Sequence, residues 1–232
     1  MRRVFCIILI TFAFIKANCQ SSPPNLPEFD EKLYHFGVSF GYSSLYSDMV
    51  SKVSLPFNDT IMGFYSKNSP GFTVGLSVAL RLTSFLQLRF TPTLLLSERN
   101  IVYDVIYKGK YIERSNPLEV TYLEAPLEFK LQSKRWHNFR PYLLGGAKYV
   151  YDMASRKRKK LKPEEYLMKL ENKEFMYTLG AGFDFYKMCK IGIELKTSFG
   201  LSDILDHSFN NAYTDCLDKI KTQVFYINIT FE

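Results

Sequence analysis

From residue 36 onward, apolar and polar positions alternate with period two. In the first segment Phe36, Val38, Phe40 and Tyr42 share one side, and Gly37, Ser39, Gly41 and Ser43 share the other. The clearest segment, 71–82, sets Phe72, Val74, Leu76, Val78, Leu80 and Leu82 against Thr73, Gly75, Ser77, Ala79 and Arg81. Such alternation describes a β-strand with one apolar face and one polar or small face. Six further segments follow the rule: 86–97, 122–131, 143–152, 175–185, 191–201 and 225–231. Ordinary strands average about five or six residues. These run near ten or more, the length that crosses a bilayer when tilted by about 45°.

The connections alternate as well. Residues 83–84, 133–140 and 187–190 are short links, whereas 47–70, 98–118, 154–174 and 202–221 are long. This predicts an all-β fold: an eight-stranded antiparallel transmembrane β-barrel with short periplasmic turns and long extracellular loops, both chain ends on the periplasmic side. Pro92 and Pro126 interrupt the pattern, because proline removes a ladder donor; they imply bulges or displaced strand limits.

The polar face decides which way the barrel is turned. It carries Gly, Ser and Thr, with Arg81, Arg89, Lys130, Lys148 and Lys196 set against Glu124, Glu128, Asp152, Asp184 and Glu194. A soluble ligand-binding barrel points its apolar face inward and would expose this glycine-rich face to water. As the lining of a narrow lumen the face is coherent: small residues fit the taper and opposite charges pair across it. An eight-stranded barrel is just wide enough for its side chains to fill, so the expectation is a plugged lumen that does not conduct.

Composition sharpens this picture. The 20 Phe and 16 Tyr accompany a single Trp. Aromatics settle at membrane–water interfaces, and here they gather at predicted strand ends. Tyr34, Phe85, Trp136, Phe139, Tyr186 and Phe231 form one girdle; Tyr42, Tyr46, Tyr103, Tyr149, Tyr151 and Tyr177 form the other.

The formal charge of +7 suggests nucleic acid until its sources are located. Arg2, Arg3 and Lys16 belong to an N-terminal segment with an apolar run from Val4 to Ile15. That segment reads as a signal peptide, residues 1–19, cleaved after Cys19 with Ala17 at the minus-three place. Lipidation of Cys19 is the alternative. Six more positive charges, Arg156, Lys157, Arg158, Lys159, Lys160 and Lys162, crowd one predicted loop. The remainder is near balance, so no nucleic-acid partner is expected. The basic loop reads as a solvated loop or, more specifically, as a contact for lipopolysaccharide phosphates or an acidic partner. Within the same loop, Pro163-Glu164-Glu165 leading to Tyr166, Leu167 and Leu170 predicts a short amphipathic helix.

The domain plan is therefore a signal peptide (1–19), a Pro-rich periplasmic tether (20–33) and the barrel (34–232). Candidate chemistry is sparse. The three histidines, His35, His137 and His207, are scattered, and neither a metal-ligand spacing nor a phosphate loop is present. Asp206-His207-Ser208 reads as a polar loop, not a triad. No catalytic, cofactor-binding or metal residue is assigned, no cofactor is implied, and the chain is expected not to be an enzyme. Cys189 and Cys216 fall at opposite ends of the barrel, so no disulfide is expected between them.

Particular residues resemble a known family. Tyr122-Leu123-Glu124-Ala125-Pro126-Leu127, then Lys130, then Pro141-Tyr142 with Gly145-Gly146, is a recurring signature of outer-membrane barrels. Asn25-Leu26-Pro27 with Asp30, Lys32 and His35-Phe36-Gly37; Phe90 with Pro92-Thr93; Gly182-Phe183-Asp184-Phe185; Glu194-Leu195-Lys196 with Ser198-Phe199-Gly200-Leu201; and the ending Thr230-Phe231-Glu232 narrow it. Together they resemble the PorT (SprT) family of the type IX secretion system. That resemblance implies an outer-membrane component or accessory supporting export of proteins with C-terminal sorting domains, and gliding motility in some members. It implies no catalytic residue. The partners it implies are outer-membrane lipid, lipopolysaccharide and other secretion-system subunits. The alternative is a general structural or adhesive small barrel.

Overall fold

The computed structural model describes residues 25–51, 61–107, 110–154, 170–205 and 217–232. Residues 1–24, the basic stretch Arg156 to Lys162 with its predicted helix, Asp206-His207-Ser208 and Cys216 lie outside the described residues. Cys189 is a free, exposed thiol.

Ten strands follow one 3-10 turn at Phe29–Glu31: β1 (Tyr34–Ser51), β2 (Ile61–Lys67), β3 (Ser69–Arg81), β4 (Leu86–Phe90), β5 (Thr93–Tyr107), β6 (Lys110–Gln132), β7 (Phe139–Asp152), β8 (Lys173–Tyr186), β9 (Lys190–Gly200) and β10 (Leu217–Phe231). They make eight staves. β2 runs into β3 across Asn68, and β4 runs into β5 across Thr91-Pro92. All pairings are antiparallel. β1 pairs with both β10 and β3, so the sheet closes on itself.

Register fixes the barrel's shape. One circuit of paired residues runs Leu45, Val224, Ser198, Thr178, Gly146, Glu128, Arg89, Ala79 and back to β1 at His35. The circuit returns ten residues from its start, so the shear is ten for eight staves. With about 3.3 Å rise per residue and about 4.8 Å between strands, the staves tilt by about 40°. The β6–β7 contact on this circuit is close. A Cβ on Gly146 would stand 2.1 Å from the Leu127 carbonyl oxygen, which is why a glycine occupies that point.

The two faces are inverted relative to a water-soluble barrel. Ser39, Ser43, Thr73, Ser77, Thr178, Ser198 and Thr230 are buried inside. Phe36, Leu76, Leu143 and Leu179 point outward and are each more than half exposed. An apolar band this continuous far exceeds the few hundred Å² that soluble monomers expose; hydrocarbon is the medium it fits. The band ends at the outward charges Asp48, Glu98, Glu119, Lys173 and Lys221. Tyr34, Phe85 and Trp136 are exposed at the short-turn end; Tyr42, Tyr46 and Tyr177 are exposed toward the other. Tyr186, expected in the girdle, is instead fully buried inside the barrel.

Three expectations from the alternation change. Residues 98–118 are not a loop: β5 and β6 stay paired from Thr93↔Glu124 to Tyr107↔Lys110 and form a long hairpin. The period-two signal fades there because neither face has to meet lipid, and only the β-propensity of Ile101, Val102 and Tyr103 marked the strand. The two prolines make no bulge. The sums of paired positions are the same on both sides of the break, with Phe90↔Leu127 and Thr93↔Glu124 in one register. Pro92 and Pro126 instead sit diagonally, one position apart, at a single gap in the ladder, where Thr91 N–H donates to the Pro126 carbonyl and Leu76 N–H to the Pro92 carbonyl. Finally, residues 25–33 do not trail away as a tether; they fold across the short-turn mouth of the barrel.

Candidate functional site

Among the described residues, titratable side chains concentrate in the interior, which they fill. Arg89 on β4 stands beside Glu128 on the neighbouring β6 and reaches across the lumen to β9. Its guanidinium pairs with Glu128 at 2.9 Å and takes both oxygens of Glu194, one of them at 2.9 Å. The Tyr142 hydroxyl donates to Glu194 at 2.9 Å, and Lys196 lies 3.4 Å from Glu128 and 3.5 Å from Glu194. Every member of this cluster is buried.

Toward the short turns, Lys130 pairs with Asp184 at 2.8 Å and sits 3.7 Å above the centre of the Tyr142 ring. Lys190 joins Asp184 at 3.6 Å and grips Glu232. Toward the long connections, Lys148 donates to Glu124 at 2.8 Å and to the Tyr226 hydroxyl, which itself donates to Glu124 at 2.7 Å. These charges stay buried because each meets an opposite charge and hydrogen bonds, the condition under which an ion pair tolerates desolvation.

The residues picked from the polar face are thus located. Arg89, Glu124, Glu128, Lys130, Lys148, Asp184, Glu194 and Lys196 come together inside. Asp152 is buried at the long-connection end, where it accepts the Ala154 N–H at 2.9 Å. Arg81 ends its stave only half-buried and outside these pairs. The alternation pattern missed others. Tyr142 and Tyr226 hide as aromatics that belong to the polar face. Arg99, fully buried, lies in the stretch expected to be a loop. It donates to the Tyr122 hydroxyl at 2.6 Å and to Thr222 Oγ1 at 2.9 Å, and Thr222 donates on to Glu174 at 2.8 Å.

Apolar residues complete the filling. Leu45, Leu95, Val120, Val150, Met176 and Val224 form a buried belt between the Lys148 cluster and Arg99. Beyond it, Ile101, Leu118 and Ile220 pack with Leu170, Ile204 and Leu205 as a cap over the long-connection end. Between the charges, a void lined by Thr93, Glu124, Lys148 and Tyr226 measures about 10 Å³, room for a single water.

The short-turn mouth is closed by residues 25–33. Asp30 accepts from Arg140 at 2.9 Å, from the Tyr186 hydroxyl at 2.8 Å and from Arg135 at 3.4 Å. Phe29 packs on His35, with centroids 4.8 Å apart, and its carbonyl accepts the His35 Nε2–H at 2.9 Å. Glu232 stands one residue past the last stave. Burial alone would raise its carboxyl; Lys190 and Lys130 outweigh this and hold it down at about 2.

Chemically, this is a set of neutralised pairs. Among the described residues no group of three His, Cys, Asp or Glu side chains is placed to hold a metal ion.

A family model agrees with an outer-membrane barrel. The family profile described as "Outer membrane protein beta-barrel domain" matches residues 18–206. Solved structures similar to this chain include the outer membrane protein OprG from Pseudomonas aeruginosa (16% identity, 84% of this chain and 94% of that one, TM-score 0.45). Neisserial surface protein A is similar at 7% identity, over 86% of this chain and 99% of that one, with TM-score 0.44. AlkL in lipid bilayers is similar at 11% identity, over 93% and 94%, with TM-score 0.45. A search of curated protein sequences finds no match.

Proposed function

This chain belongs to the outer membrane protein beta-barrel domain family, and from that premise we propose that it is a non-enzymatic, non-conducting barrel of the type IX secretion system. In this reading it supports export of proteins with C-terminal sorting domains. The observation that carries the mechanical half is the filled lumen: Arg89 on β4 pairs with Glu128 on the neighbouring β6 and spans the interior to Glu194 on β9, and apolar side chains close one end. A barrel filled this way passes no protein. It acts instead as an anchor or assembly partner, through the surfaces it presents at its two ends. The secretion half rests on the resemblance of the Tyr122–Leu127 signature and of both ends of the mature chain to the PorT family.

The short-turn end, holding residues 25–33 and Glu232, faces the periplasm in this reading, and the β5–β6 hairpin faces outward. Maleimide labelling of Cys189 in a Cys216→Ser variant tests the orientation. An impermeant reagent leaves it unlabelled in intact cells and labels it after the outer membrane is opened; labelling in intact cells reverses the topology. The partners proposed are outer-membrane lipid, lipopolysaccharide phosphates at Arg156 to Lys162, and other secretion subunits.

Deletion of the gene tests the function. Loss of secreted proteins bearing the sorting domain, restored by the wild-type chain, is expected. Normal secretion with an otherwise altered envelope favours a general structural or adhesive barrel.

A further inference from the structure

The contacts at the short-turn mouth divide into two sets. One set belongs to the barrel itself. Arg140 donates to Gln132 Oε1 at 2.8 Å. Arg135 lies 3.8 Å over the Tyr186 ring and donates from Nε to the His137 carbonyl at 2.7 Å. These bonds hold two guanidinium groups and a phenol in place whether or not anything lies above them. The other set is made by residues 25–33, which bring a phenyl ring and a carboxylate, Phe29 and Asp30, onto that ready-made surface.

The occupant is the weaker half. None of the residues in its 3-10 turn is buried, whereas Tyr186 beneath it is fully buried and Arg140 is 9% exposed. Leu26 is held at φ 51°, a left-handed conformation that strains a non-glycine residue. Its grip is chiefly polar, and a second carboxylate could replace it bond for bond. We propose that the mouth is a peptide-binding cleft for a protein segment presenting an aromatic residue followed by a carboxylate, and that residues 25–33 are its built-in, displaceable occupant. The covalent link supplies an effective concentration on the order of millimolar, so an outside segment succeeds only by binding more tightly or when the resident is drawn away. The proposal does not depend on the secretion reading.

The test uses the full mature chain refolded in detergent, with a fluorescent nine-residue peptide copying residues 25–33 as probe. In the double variant Phe29→Ala, Asp30→Asn the resident loses its aromatic and carboxylate contacts, keeps only the bonds of Asn25 and Leu26 to Asn138, Tyr186 and Arg135 and its backbone bonds, and the cleft stays intact. The peptide is expected to bind this variant at least tenfold more tightly than the wild-type barrel, and to lose that gain when its own aspartate is replaced by asparagine. A folded variant with wild-type affinity overturns the proposal. Hydrogen exchange on the unaltered protein serves as a second measurement and decides alone if the variant does not fold. Millimolar peptide is expected to speed exchange of residues 25–33 severalfold while the staves stay unchanged. Unchanged exchange of that segment shows a permanent cap and overturns displaceability.

Discussion

The two halves of the barrel solve different problems. In the half nearer the short turns, Arg89, Lys130 and Lys190 each have a carboxylate within ion-pair distance, and β1 pairs with β3 without a break from Tyr34↔Leu80 to Leu45↔Ser69. In the far half, beyond the Lys148–Glu124 pair, Arg99 hydrogen-bonds two hydroxyls, the cap is apolar, and among the described residues the β1–β3 ladder stops at Leu45. Above that point β1 continues on β10 and β2 on β5. The boundary coincides with the end of the outer apolar band. Within hydrocarbon an unpaired backbone group costs several kcal/mol, so the ring must close there. Beyond it water satisfies the backbone and the wall is free to splay. The ladder is therefore closed where the solvent demands it.

The contrast can be broken most sharply at the central pairs. Arg89→Met strands Glu128 and Glu194 as buried charges without their guanidinium and is expected to cost about 3–5 kcal/mol. The loss reads out as a lower urea midpoint in lipid vesicles. Arg99→Met removes two bonds to hydroxyls and a cation that acts on buried Glu174 without a direct ion pair, and is expected to cost less, about 1–2 kcal/mol; equal losses would erase the distinction between the halves.

Next comes the apolar cap. Ile220→Ala opens a hole in a fully buried cluster and should cost about 3 kcal/mol. Because the cap lies outside the lipid zone, the loss should appear as faster proteolysis at the long-connection end, with the staves still resistant.

The outer face gives a smaller effect. Leu179→Arg places a cation in the lipid band and should cost about 2 kcal/mol. Ser115→Arg, outward on the hairpin beyond the band, should stay within about 0.5 kcal/mol. Parallel losses would move the membrane boundary.

The last effect concerns pH. With its carboxyl held at about 2, below the ordinary 4.5, Glu232 stabilises the fold fully above about pH 4.5, and that contribution fades as pH falls toward 2. Glu232→Gln should cost no more than about 3 kcal/mol at neutral pH, the equivalent of that shift, and less where Lys190 retains Asp184 at 3.6 Å. It should also flatten the pH dependence of the midpoint between 4.5 and 2.

How far the site was readable depended on where each residue sat. Arg89, Glu128 and Lys130 were legible because strict alternation separated them from Leu88, Leu127 and Phe129. Tyr226 stood on the polar face of the last segment but carries no charge to place it in the network, and Tyr142 was not legible, since an aromatic reads as lipid-facing until its hydroxyl is seen to meet a carboxylate. Tyr186 was misplaced for the same reason. Arg99 and the β5–β6 hairpin escaped because a strand that leaves the bilayer has no reason to keep one apolar face. The cap over residues 25–33 left only a Pro-rich, polar signature, which does not distinguish a tether from a strap.

By itself the sequence determined the number of staves, their antiparallel order and which face meets lipid. Each follows from local rules: period two, chain length between turns, and a solvent that punishes polar groups on one side only. The tertiary structure alone decided the shear of ten, which charge meets which across the lumen, and that the mouth is covered by its own Phe29 and Asp30. Those outcomes depend on register summed around a closed ring and on side chains converging from strands far apart in sequence, and no local pattern encodes them.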